Sequence, residues 1–128
     1  MDQELANWIA ISEADLLAAK ELLANPKILP ALSVYHSHQC VEKLLKAILL
    51  KQKQSLPKIH NLNKLLVMAN DVFPDLLFFE DSITELNELL PLLRYPTGDQ
   101  ISSDDANNAY HIAATFMAAI QKRRGQGW

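Results

Sequence analysis

Cysteine is almost missing. The 128-residue chain holds one, Cys40, so it can form no internal disulfide and no multi-cysteine zinc site, which fits a reducing compartment. Glycine is scarce as well, with three residues, and no Gly-rich phosphate loop or nucleophile elbow is present. The β-branched residues Val and Ile total 13 against 22 Leu and 15 Ala. That balance favours helix, because Ala and Leu lead the helix propensity scale. No segment alternates with period two, so no sheet is expected. Long apolar runs are lacking: the longest, such as 112–120, are too short to span a membrane. Asp2 and Glu4 precede any apolar stretch, so the opening does not read as a signal peptide, and a cytoplasmic protein is expected. A basic excess is also absent. The net charge of −3 argues against a general nucleic-acid coat, and DNA is not an expected ligand. One domain over 1–128 is expected, large enough to bury about two-thirds of its unfolded surface without a metal or disulfide staple.

What remains is a series of amphipathic stripes cut by prolines. Leu5, Ile9, Leu16 and Leu23, with Trp8, Ala19 and Leu22 beside them, repeat every 3.6 residues and predict a helix over 3–24, stopped by Asn25-Pro26 and Pro30. Val34, Val41, Leu44, Leu45, Ile48 and Leu49 predict a second helix over 31–53. Asn61 is placed to cap a short third helix over 62–70. Phe79, Ile83, Leu86, Leu90 and Leu93 mark a fourth, which Pro91 should distort or shorten. Residues 94–103 read as a loop, with Ser103 or Asp104 capping a fifth helix whose apolar face is Ala106, Ala109, Ala113, Phe116, Met117 and Ile120. Short connections between such helices predict an all-α, single-domain up-and-down bundle of about five helices.

Charge is segregated: Lys43–Lys64 holds six lysines and no acid, and Asp71–Asp105 holds nine acids and one base, Arg94. The pattern reads either as two solvated surfaces or as an anion site or complementary surfaces in a dimer. On the second helix His36, Gln39, Lys43 and Lys46 fall within about 80° of one another at about 100° per residue. Such a row suits phosphate oxygens; the alternative is a solvated face with Glu42–Lys46 as a routine i,i+4 pair. His38 lies with the apolar stripe and is expected to be a core or interface histidine held by one hydrogen bond. His60, next to the cap of the third helix, either meets an anion there or helps to cap it. No histidine pair has metal-ligand spacing, so neither metal nor other cofactor is expected. Cys40 reads as a structural thiol.

Taken together, some of these segments resemble a known family. His36-Ser-His-Gln-Cys-Val-Glu-Lys-Leu-Leu-Lys-Ala-Ile-Leu-Leu50 resembles the second-helix signature of HEPN domains. His60-Asn61-Leu62 is similar to its His-x-Leu element, Arg94-Tyr95-Pro96 to its Arg-Tyr-Pro element, and an Ala-rich last helix closes the chain. Trp8 and Glu13-Ala14-Asp15-Leu16-Leu17 also match, so the likeness covers about residues 5–123. It implies a HEPN-like bundle that pairs as a homodimer. Many HEPN proteins are metal-independent ribonucleases, often toxins, in which an arginine is followed four to six residues later by a histidine. Here those positions after Arg94 are Gly98, Asp99 and Gln100, so the acid–base imidazole is missing and no catalytic residue is assigned.

The other branch of the family implies a small non-enzymatic protein. It binds a nucleotide and partners a minimal nucleotidyltransferase supplied as a separate chain, in a toxin–antitoxin-type module. The matching positions are Gln39, Glu42, Lys43, Lys46, His60, Arg94 and Tyr95. With His36, all of these except Glu42 form the expected ligand site; the structural alternative is that Glu42 and Arg94 tie helices together as an ion pair and Tyr95 packs over the bundle end. The ribonuclease with an atypical active site, and a pure interaction module, stay as alternatives. Ala-rich faces that allow close approach point to the first and fifth helices as the dimer face.

Overall fold

The structure, a computed structural model, describes residues 3–52, 55–71, 73–94 (for Arg94 the backbone alone) and 101–127. Five α-helices occur among them: α1 Gln3–Leu23, α2 Pro30–Lys51, α3 Leu62–Asn70, α4 Glu80–Glu88 and α5 Ser103–Gly125. Two 3₁₀ turns, Leu76–Phe79 and Leu90–Arg94, flank α4, and no strand is present among the described residues. The chain is an all-helical single domain, as the composition and the stripes predict.

Pro30 starts α2 rather than merely ending α1. It occupies the first turn, where its missing N–H costs nothing and its fixed φ suits the helix. Asn61 caps α3 as expected, its side chain accepting from the Lys64 N–H. The fourth helix is shorter than its apolar stripe, because the segments holding Phe79 and Pro91 wind as 3₁₀ turns. The cap of α5 is Ser102, not Ser103 or Asp104. Ser102 Oγ accepts from the Asp105 N–H at 3.1 Å while the Asp105 carboxylate accepts from the Ser102 N–H at 2.9 Å, a reciprocal capping box.

The helix α2 is the spine. Early α2 meets late α1, as Ser33 Oγ donating to Ala19 O shows, while Ala47 in late α2 meets Leu5 and Ile9. The two are therefore antiparallel. On its other sides α2 is covered by α3, α5 and the 90–94 turn. From Val41 to Leu49 every side chain is buried except half-buried Lys43. All six residues of the predicted α5 face are buried. Ala106, Ala109 and Ala113 are thus spent inside the bundle, while Ala10 and Ala14 of α1 and Ala118 of α5 stay exposed.

Candidate functional site

The predicted row on α2 divides into two columns. His36 and Lys43, two turns apart, face α1, where both reach the buried carboxylate of Asp15: His36 Nδ1 at 2.9 Å from Oδ1, Lys43 Nζ at 2.6 Å from Oδ2. Cys40 lies between them on the same side and is fully buried. Burial, aided by the nearby Asp15 charge, pushes its thiol up to about 12, so it stays protonated and inert.

Gln39 and Lys46 belong to the second column. Lys46 is buried rather than solvated: its Nζ donates to Glu42 Oε2 at 3.1 Å, and the same oxygen meets His60 Nδ1 at 3.0 Å. His60 bridges back to α2 instead of capping α3. Two first-turn amides of α3 are already engaged, Lys64 by Asn61 and Leu62 by the Asn87 side chain at 3.0 Å. The His60 ring stays 72% exposed, so one nitrogen is held by the buried carboxylate while the other faces solvent.

Beneath this pair lies His38, buried as the apolar stripe implies, but without its expected hydrogen bond. Neither ring nitrogen makes a hydrogen bond of good geometry, although the Asn87 side chain lies close, and Glu42 Oε1, 3.8 Å from Nδ1, is unpartnered as well. Burial lowers the His38 pKa from the usual 6.5, outweighing the Glu42 carboxylate and the Asn87 side chain, which both favour the charged ring.

A cleft of about 370 Å³ opens above these groups. Tyr35, His38, Gln39 and Glu42 of α2 form one side, His60 another, and Leu90 and Leu93 of the 90–94 turn close it. Gln39 and His60 of the expected site meet here; His36 and Lys43 do not. The Arg94 side chain and Tyr95 lie outside the described residues, as does the expected Arg94–Glu42 ion pair. Two residues that organise the site escape the reading of local patterns: Asp15, whose partners are 21 and 28 positions away, and Tyr35, next to His36. Among the described residues no group of three His, Cys, Asp or Glu is placed to hold a metal ion, and no helix is long and apolar enough to cross a membrane.

Chemically, the site is a small apolar-walled cleft over a neutralised polar floor. Each lysine of the row is balanced by a carboxylate, so the arrangement is poor at holding a phosphate by charge alone. It is better suited to a flat, hydrogen-bonding ring against Tyr35 and the leucines.

The profile of the HEPN domain matches residues 5–123. No curated protein and no solved structure matches the chain.

Proposed function

The chain belongs to the HEPN domain family, and from that premise we propose that it is a non-catalytic, homodimeric member whose cleft beside α2 receives a nucleotide. The observation that carries this reading is the buried polar floor of that cleft. His38 and Glu42 Oε1 lack hydrogen bonds of good geometry directly beneath a space bounded by Tyr35, Gln39 and His60. Buried polar groups are nearly always satisfied, and unsatisfied ones concentrate where a ligand or water completes them. The base sits against Tyr35, Leu90 and Leu93, Gln39 supplies a directional amide, and exposed His60 meets the phosphate at the mouth. Because Lys43 and Lys46 are paired inside the protein, charge contributes little, and an affinity of about micromolar or weaker follows.

Calorimetry with ATP, GTP and their nucleosides tests this. The nucleoside should retain most of the affinity, and Gln39→Ala and His60→Ala should each weaken binding roughly fivefold, the worth of about one hydrogen bond. Absence of saturable binding by the wild type, or unchanged binding in both variants, refutes the reading. HEPN proteins are often paired with nucleotidyltransferases. A separate minimal nucleotidyltransferase chain, completing a toxin–antitoxin-type module, is the protein partner that accords with it.

A second reading has an observation of its own. With Nδ1 held by buried Glu42, the outward nitrogen of His60 faces solvent on a ring oriented by a carboxylate, the geometry of a general acid–base group. Under this reading the chain is an atypical ribonuclease. Chelator-resistant RNA cleavage lost in His60→Ala would support it over the first.

A further inference from the structure

A second hollow lies elsewhere. A groove of about 890 Å³ runs between the Leu76–Phe79 turn and the end of α5, with Leu77, Phe79 and Ala119 in its walls and Lys122 on its rim. Asp75 and Arg123 also belong to its lining, as does Phe78, 86% exposed. Its neighbour Phe79 turns inward, edge-on to buried Phe116 at 5.3 Å, so one aromatic anchors the turn and the next projects into water.

The turn that presents Phe78 is held firmly. Asp75 sits at φ 80°, a left-handed conformation uncommon for a residue other than glycine. Arg123 of α5 pins it by donating to Pro74 O at 2.8 Å, by lying over the Phe73 ring at 5.1 Å and by facing the Asp75 carboxylate at 3.8 Å. From α3, the Asn70 side chain accepts from the Leu77 N–H at 3.1 Å. Backbone strain and several restraints thus fix a side chain that is mostly exposed and meets its own chain edge-on at the Phe79 ring, 5.4 Å away. Such pre-set geometry lowers the ordering cost of association.

The charges flanking the patch have both signs. Lys122, exposed and without an ion pair among the described residues, stands in the basic last turn of α5. Glu80 and Asp81, also exposed, open α4 directly after the aromatic pair. A patch carrying a protruding ring, a groove to receive one, and charges of opposite sign is complementary to itself. Self-complementarity is the requirement of a two-fold contact, whereas a partner of one charge sign would meet repulsion on one side.

We propose that this face is where a second copy of the chain docks, Phe78 of each copy entering the groove of the other and the acidic start of α4 facing Lys122 across the axis. The proposal rests on the homodimeric reading but not on the nucleotide cleft, which is lined by different residues.

Sedimentation equilibrium of the full chain, up to about 100 µM, tests it. The wild type should be a dimer. Phe78→Asp, at an exposed position, should keep its thermal midpoint and raise the dimer dissociation constant at least about tenfold. Lys122→Glu should weaken the dimer less, and combining it with Glu80→Lys should recover part of the loss. A monomeric wild type overturns both the face and the homodimer. A dimer that survives Phe78→Asp and is dissociated by Leu17→Asp, on the exposed apolar side of α1, overturns the face alone.

Discussion

Replacing Lys46 by methionine separates a structural lysine from a ligand-binding one. The side chains of Lys46 and Glu42 are 9% and 6% exposed, with 3.1 Å between Nζ and Oε2. Methionine keeps most of the buried stem but removes the charge, leaving Glu42 as a buried carboxylate. Breaking a buried pair in this way costs about 3–5 kcal/mol when nothing compensates. Here His60 still reaches Oε2 from a solvent-facing position, which trims the expected loss to about 2–4 kcal/mol. For a chain of this size that lowers the thermal midpoint by about 10 °C. Urea unfolding followed by circular dichroism gives the free energy. A cycle with Glu42→Gln isolates the pair, and the double variant should lose at least about 1 kcal/mol less than the sum of the singles. If Lys46→Met costs less than about 0.5 kcal/mol, or the two changes simply add, the burial argument fails and Lys46 returns to the solvent-facing row expected from helical spacing.

Other outcomes follow from the same geometry. Burial holds His38 below its usual 6.5, so the unfolded chain takes up a proton that the folded one resists. Stability present above about pH 6.5 should fall on acidification, and His38→Gln should flatten that slope of urea midpoint against pH; parallel curves for the two proteins would refute the assignment. Cys40, raised to about 12 by burial, should resist a thiol reagent in the folded protein at about pH 8 and react on denaturation; rapid labelling of the folded chain contradicts this. Ser102→Ala removes half of the capping box and should cost about 1 kcal/mol in chemical unfolding, whereas the same change at Ser103 should cost little.

The parts of the fold that were legible in the sequence are those where periodicity alone decides. The stripe of α2 and the face of α5 are buried residue for residue, and α3 spans 62–70 as its cap and apolar spacing required. The cap of α5 was misplaced at Ser103 or Asp104 although a signal for Ser102 was there. In Ile101-Ser-Ser-Asp-Asp105, only Ser102 has an acid three residues on, the spacing a reciprocal cap needs. The polar site was harder to read because its partners are distant in sequence. Glu42–Lys46 has the spacing of an ordinary surface pair, and only the covering by α3 and the 90–94 turn makes it a buried one. The apolar arc of α2 gave no warning: at about 100° per residue Val41, Leu44, Leu45, Ile48 and Leu49 span about 140° and leave more than half of the circumference polar. Asp15 gave no signal either. A carboxylate beside Leu16 on α1 acquires its meaning only when α2 folds back alongside.

The enclosure of α2 also orders the molecule in time. Amide protons exchange with solvent only when their hydrogen bonds open, and the opening unit is the smallest piece that can detach without exposing the core. For Val41–Leu49, wrapped by α1, α3, α5 and the 90–94 turn, that piece is close to the whole domain, so these amides should exchange at the rate of global unfolding. The nine-residue α4 and the Leu90–Arg94 turn that follows it touch fewer neighbours and can open while the α1–α2–α5 layer stays intact. Leu90 and Leu93, the wall of the cleft, ride on that looser segment, so the cleft has one stationary side and one that opens on its own schedule.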